Sequence, residues 1–348
     1  MAFQRFNRAN DVVENQRTTI SSGLWSGGSA ELTAFYTQST NGNITGSFLE
    51  LYNEDPNLSS SAEVQFAVGY AHIEGSGSKG NTTKLTSGGR QSAALYRQFR
   101  NVLLAPNTER FEFTSSPSAS GDKDFYFVSF QRARQREKID PGNWELKLSG
   151  QMPAFAATAS TISLIDDSGA TSNPTVNQGG RVFNVVSGSI TNGVHTTAAA
   201  ETAGNMGSYG LFYPDLGLIL LNAPKVEISG GLGVHDRAPD QHISRSEAFF
   251  DSIVSGSSFT ARREEEISST NYFCRVNNKN YNFSSNPTYA TQSDGSLTQA
   301  TFFKDPKTFI TQVGLYNDDN ELLAIAKLSK PILKSYSREA IIKVKLDF

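Results

Sequence analysis

Apolar residues recur at every second position in several segments of this chain, and at helical spacing in one clear run. Alternation with period two is the signature of a strand with one face covered. The final segment shows it most plainly. Ile342, Val344, Leu346 and Phe348 fall on one face, and Lys343, Lys345 and Asp347 on the other. "AEVQFAVGYAHI" (62–73) sets Val64, Phe66 and Val68 against Glu63, Gln65 and Ala67, which reads as a half-buried strand. "DPGNWELKLSG" (140–150) reads as a tight turn followed by a strand in which Trp144, Leu146 and Leu148 alternate. The helical exception is "RQSAALYRQFRNVLLAP" (90–106), with Leu95, Phe99, Val102 and Leu103 on one stripe and Pro106 as its stop. A second, shorter helix is expected over 244–254.

Turn chemistry punctuates the strands. Asn41-Gly42 joins 32–40 to 46–53, and "YPDLG" separates two apolar runs within 209–224. The 259–287 stretch reads as a hairpin, with Asn277, Asn278 and Asn280 at its turn, Phe273 and Val276 on one arm, and Tyr281 and Phe283 on the other. In "TQVGLYNDDNELLAIAKLSKPI" (311–332), the knot Asn317–Asn320 joins a run ending in Leu315 and Tyr316 to a return strand with Leu322, Leu323 and Ile325. Pro331 closes that strand. With the last strand this predicts a three-stranded meander, in which Phe348 continues the alternation and buries its ring.

The expected fold is mainly β with one or two short helices. Two antiparallel β-rich lobes carry long Gly/Ser/Thr/Asn-rich loops. The expected divisions are an N-terminal arm (1–20), an N-terminal β domain with the helix (21–150), a bridging β segment (151–225) and a C-terminal β domain (226–348). The arm and the loops at 75–89 and 191–208 are polar or small, and are expected to order only against neighbours. Composition agrees: charged residues are 19% of the 348, yet there are 23 Phe and 12 Tyr, so the chain has the material for a core.

The search for chemistry finds little. Net charge is −3. The densest basic cluster, "RARQREK" (132–138), reads as the solvent-facing end of a strand, so no nucleic-acid partner is expected. No stretch approaches the roughly 18 apolar residues of a membrane span, so no membrane partner is expected. His235-Asp236 and Asp240-x-His242 match no metal-ligand spacing. "GSGSKG" (75–80) lacks the Gly-Lys-Ser/Thr order of a phosphate loop. In "REEEI" (263–267), neighbouring carboxylates on a strand point to opposite faces. Cys274, the single cysteine, reads as a buried strand thiol. No enzyme activity, catalytic residue, metal or cofactor is expected. The residues expected to carry packing or interfaces are Trp25, Trp144, Leu315, Tyr316, Leu346 and Phe348.

Five stretches together resemble a known family: "GLWSGGSAELTAFYTQS" (23–39), "KIDPGNWELKLSG" (138–150), "SYGLFYPDLGLILLN" (208–222), 259–287 and "TFITQVGLYNDDNELLAIAKLSKPI" (308–332). They resemble virion structural proteins of tailed bacteriophages, similar to those of contractile-tailed cyanobacterial phages. The resemblance implies a component assembled in the host cytoplasm into the virion. It implies a wedge-like place in the tail baseplate, with other tail or baseplate proteins as partners and self-association within the assembly. A neck or other tail position is the alternative within that class. A receptor- or glycan-contacting tail protein, with Trp25 stacking on sugar, is a second reading, and a wall-degrading hydrolase a third.

Overall fold

The computed structural model describes residues 4–37, 48–74, 87–113, 123–150, 160–169, 175–191, 194–197, 209–229, 232, 242–291 and 293–348. The chain is mainly β with antiparallel sheets. Its two longest described helices are Ser87–Leu103 and His242–Gly256. Both runs were expected helical, and each extends a few residues beyond its apolar stripe.

The chain forms two compact units: residues 20–265, and residues 1–19 with 266–348. The boundaries expected at 150 and 225 do not separate units. The reason is pairing between distant segments. The strand Phe259–Val276 pairs in its first part with Lys138–Gly150, and the last strand pairs along its second part.

The larger unit is built on one antiparallel path. It runs from Phe259 through the strands Lys138–Gly150, Ser160–Asp166, Gly180–Thr191, Gly210–Tyr213, Leu218–Asn222, Asp124–Phe130, Val64–His72 and Leu49–Tyr52 to Tyr36–Thr37. The path curls, so that Phe259 near one side lies 5.3 Å from Phe66 near the other. The expected turn at "YPDLG" is present between Gly210–Tyr213 and Leu218–Asn222. Central strands are buried on both faces. Phe66, Val68, Tyr126, Val128, Ile219 and Leu221 face one core, which also holds Phe249 and Ile253 of the second helix. Ala71, Phe125, Phe127 and Leu220 face another, with Tyr96 and Leu103 of the first helix. The 62–73 segment is therefore not half-buried: Gln65 is fully buried, and its side chain donates to the Ser26 hydroxyl (2.7 Å) and the Glu63 carbonyl (2.7 Å). "RARQREK" also departs from expectation. It begins with a helical turn, Arg132–Gln135, and buries Gln135 against the carbonyl oxygens of Pro214 and Asp215. The 140–150 segment has no turn before its strand; the strand starts at Lys138 and passes through Gly142 at φ 83°.

In the smaller unit the expected arm is structured by the chain itself. Asn7 caps a single turn, Arg8–Asp11, and the strand beginning at Val12 lies beside Phe259–Val276. Gln16 accepts from the Asn271 amide (2.6 Å), Arg17 meets Glu266 (3.1 Å), and Asp11 meets Arg275 (2.6 Å). The 259–287 hairpin does not form. Residues 259–276 are one strand whose second part pairs with Ala340–Asp347, Ser269 opposite Asp347 and Val276 opposite Ala340. The meander does not form either: Thr308–Tyr316 and Leu322–Lys334 make a separate two-stranded sheet. Most of the loops at 75–89 and 191–208, the Asn41-Gly42 turn, "GSGSKG" and His235, Asp236 and Asp240 lie outside the described residues.

Candidate interaction surface

Packing in the smaller unit is thin. Among its described residues the buried apolar side chains are Val276, Tyr289, Ala290, Leu315, Ile342 and Val344. More large apolar side chains are exposed than buried. Phe309 (62%), Leu323 (69%) and Ile325 (54%) lie on the hairpin, and Phe283 (62%) and Phe303 (83%) on the segment before it. Isolated exposed apolar residues are ordinary, but a cluster rimmed by polar groups marks an interaction site.

Local chemistry builds the hairpin. At its tip, Asn317 Oδ1 accepts from the Glu321 backbone N–H (2.7 Å), the Asn317 amide donates to Glu321 Oε2 (2.8 Å), and Asn320 takes the left-handed conformation at φ 64°. Tyr316 stands opposite Leu322, Gly314 opposite Ile325 and Gln312 opposite Lys327. Tyr316, Gly314, Leu322 and Ile325 help to line a groove of about 1480 Å³. Phe6, Phe273, Tyr281, Phe283 and Tyr336 supply aromatic surface to the same groove.

A buried lysine fixes one wall. Lys334 is 1% exposed, and its Nζ donates to the Asn278 carbonyl (3.0 Å), Asn282 Oδ1 (2.9 Å) and the Ser335 carbonyl (2.9 Å). Burial lowers its pKa, opposed by the nearby Glu339 carboxylate. The end of the hairpin is thereby tied to the segment that presents Tyr281 and Phe283. Lys334→Met removes all three bonds and leaves the acceptors without that donor. The expected cost is about 1.5–3 kcal/mol, read as a lower unfolding midpoint; an unchanged midpoint would remove Lys334 from this role. The 291–296 turn is held by Asp294, whose carboxylate accepts from the Thr291 hydroxyl and from the backbone N–H and hydroxyl of Ser296. These bonds lower its pKa from 3.8 to about 2.

The six residues marked from the sequence do not converge. Trp25 and Trp144 are core residues of the larger unit. Trp25 is 2% exposed, donates to the carbonyls of Ala30 (3.1 Å) and Phe259 (2.9 Å), and packs on Phe66, Phe130 and Phe259. Trp144 is fully buried against Phe212. Leu315 is buried under the hairpin, and Tyr316 is 39% exposed at the groove. Leu346 is half-buried. Phe348 departs from expectation: its ring is 77% exposed, while its backbone N–H still donates to the Ser268 carbonyl (2.9 Å). Burial along the last strand fades from Ile342 and Val344 outward, because the ladder ends one residue earlier, at Asp347 opposite Ser269. Sequence reading missed Phe6 and Tyr336, which sit in irregular segments, and Phe303, at the end of the 3-10 turn Ala300–Phe303, none with a period to reveal it.

Titratable groups form structural pairs. Glu264 meets Lys138 (3.4 Å), and Glu265 meets Arg136 (3.0 Å) and Arg263 (3.0 Å). Asp166 accepts from the backbone N–H groups of Gly142 and Ser168, and Asp167 from Asn184. His242 is buried with Nδ1 2.7 Å from the Tyr70 carbonyl. Cys274 is half-buried, and burial raises its pKa. Among the described residues no group of three or more His, Cys, Asp or Glu is placed to hold a metal ion, and no helix is long and apolar enough to cross a membrane. Comparison of the chain with protein-family models, curated proteins and solved structures finds no match in any of the three.

Proposed function

We propose that this chain is a structural component of a tailed-phage virion, placed in the tail baseplate and working through protein–protein assembly. The observation that carries the assembly reading is the smaller unit's excess of exposed over buried apolar side chains, gathered on a hairpin and an aromatic groove. A surface of that kind is stable in water at a cost that docking removes. The assignment to a phage tail rests on the resemblance of the five stretches, and the baseplate placement is the finer part of it. The larger unit, with its continuous antiparallel path and two cores, suits a stably folded building block.

Quantitative mass spectrometry of gradient-purified particles tests the proposal. The chain should be present at a fixed ratio to known tail proteins, and labelled particles should show it at the baseplate. Absence from purified particles would overturn the virion reading; a label at the neck would overturn only the placement. The groove also supports a second reading, a glycan-contacting tail protein, because aromatic faces such as Tyr281 and Tyr336 stack on sugar rings. Trp25 is buried and does not serve that role. Saturable binding on a glycan array, lost in Tyr336→Ala, would favour it.

A further inference from the structure

Every sheet edge is a template for another strand, and proteins block edges with lysine, proline or bulges. In the smaller unit these devices are unevenly placed. The last strand carries Lys343 and Lys345, and the strand from Val12 carries Glu14 and Arg17. Leu322–Lys334 carries Lys327, Lys330 and Pro331. It also holds both irregularities of the hairpin. One residue separates Ile310 from Gln312 where four separate their partners Ile332 and Lys327, and Leu323 is the extra residue between the partners of Leu315 and Tyr316. Thr308–Tyr316, "TFITQVGLY", has none of these devices. It holds no charge, no proline and no extra residue. Its Phe309, Thr311, Gln312, Gly314 and Tyr316 are exposed, and among the described residues no strand other than Leu322–Lys334 pairs with it.

We propose that this edge pairs with the same strand of a second copy of the chain, antiparallel about a twofold axis at Gln312. The argument is the complementarity of that one register. It sets Gln312 opposite Gln312, Ile310 opposite Gly314 and Thr308 opposite Tyr316, with no charge facing a charge inside the strand. Just outside it, the register brings the base of each hairpin to the tip of the other. Lys304 and Lys307, both exposed, then approach Asp318 and Asp319, also exposed; Asp305 falls opposite Asp319 between the two lysines, which offset that like-charge pair, and symmetry makes each contact twice. In the isolated chain Lys307 meets only Asp305 among the described residues, at 3.2 Å with both side chains more than half exposed, a pair that solvent screens and that is easily exchanged. The result is a four-stranded antiparallel sheet joining two copies, an isologous contact. The inference rests on the assembly reading and names a partner for that surface. Its test uses the purified full chain, so it can fail while the chain is still found in particles.

Sedimentation of the purified chain across a concentration series should show a monomer–dimer equilibrium. Gln312→Glu puts two carboxylates face to face at the axis while leaving each able to meet Lys327 of its own hairpin. It should weaken the dimer by about tenfold or more, since like charges set opposite each other in an interface repel. The unfolding midpoint of the monomer should not move. Lys307→Glu should also weaken the dimer, and adding Asp318→Lys should restore it. Gln312→Cys in a Cys274→Ser background should give a disulfide-linked dimer under mild oxidation. A chain that stays monomeric at its highest soluble concentration would overturn the proposal, as would a dimer indifferent to Gln312→Glu that yields no Gln312→Cys cross-link. Monomeric protein whose Gln312→Glu variant no longer enters particles would assign the edge to a strand of a different protein, and so also reject the second copy.

Discussion

Replacing Arg245 by leucine is expected to cost about 3–5 kcal/mol of stability, the largest effect of a polar substitution in the larger unit. Arg245 lies on the helix His242–Gly256 and is 1% exposed; Glu227, on the helix Ala223–Ser229, is 2% exposed. Arg245 Nη1 donates to Glu227 Oε1 at 2.7 Å, and the Tyr126 hydroxyl donates to the same oxygen at 2.8 Å. Tyr126 is fully buried, and its pKa is raised well above 10, chiefly by burial and next by the Glu227 charge. It therefore remains a neutral donor at any working pH. The three groups join two helices to the strand Asp124–Phe130. Removing either member of the ion pair leaves the other's charge buried without it. The single variants should each lower the denaturant midpoint sharply. The triple variant Tyr126→Phe, Glu227→Leu, Arg245→Leu should lose less than either single one, because it removes both buried charges and the hydroxyl together. Single variants within about 1 kcal/mol of the parent would show that the pair is hydrated in solution.

How much of this was legible in the sequence depended on whether the signal was local. The helix at 87–103, the hairpin around "YPDLG" and the hairpin at 308–334 carry their periods and turns within a few residues, and all are present. Alternation reports which side chains share a face, but not which strand lies beside them. The strand Phe259–Val276 shows the limit: its partners begin at Lys138 and Ala340, and the asparagines after it looked like the turn of a hairpin that does not exist. Burial was misread where a second layer arrived from elsewhere. Gln65 looked solvent-facing, yet Ser26 reaches its amide. Trp25 was open to both a core and a surface reading; its core is assembled from Phe66, Phe130 and Phe259, up to 234 positions away. The opposite error occurred at the surface. Phe348 continued an inward alternation past the end of its ladder, and Leu322, Leu323 and Ile325 of the return strand are exposed. A period cannot distinguish a face covered by its own chain from one kept for a neighbour.

That distinction sets the expectation for the hairpin. Leu323→Asp with Ile325→Asp should leave the purified chain folded, at a cost of about 1–2 kcal/mol from the poor strand propensity of aspartate. The two side chains are 69% and 54% exposed, so neither aspartate forces a charge into a core. If the chain assembles into a virion as proposed, the same variant should fail to enter particles, because docking would then bury two carboxylates in an apolar contact without partners. Val344→Asp is the control with the opposite pattern. Val344 is 6% exposed on the last strand, opposite Tyr272, so a carboxylate there should melt the smaller unit before assembly is attempted. A Leu323→Asp, Ile325→Asp chain that folds and incorporates normally would mean that this face stays in water in the particle. The assembly reading would then rest on the groove's aromatic wall alone, where Phe283 and Phe303 are the side chains to change next. Loss of both folding and incorporation would mean that the hairpin face is packed in solution, by a second copy or by its own chain. Sedimentation of the parent chain across a concentration series then separates those two cases, since only packing by a second copy depends on concentration.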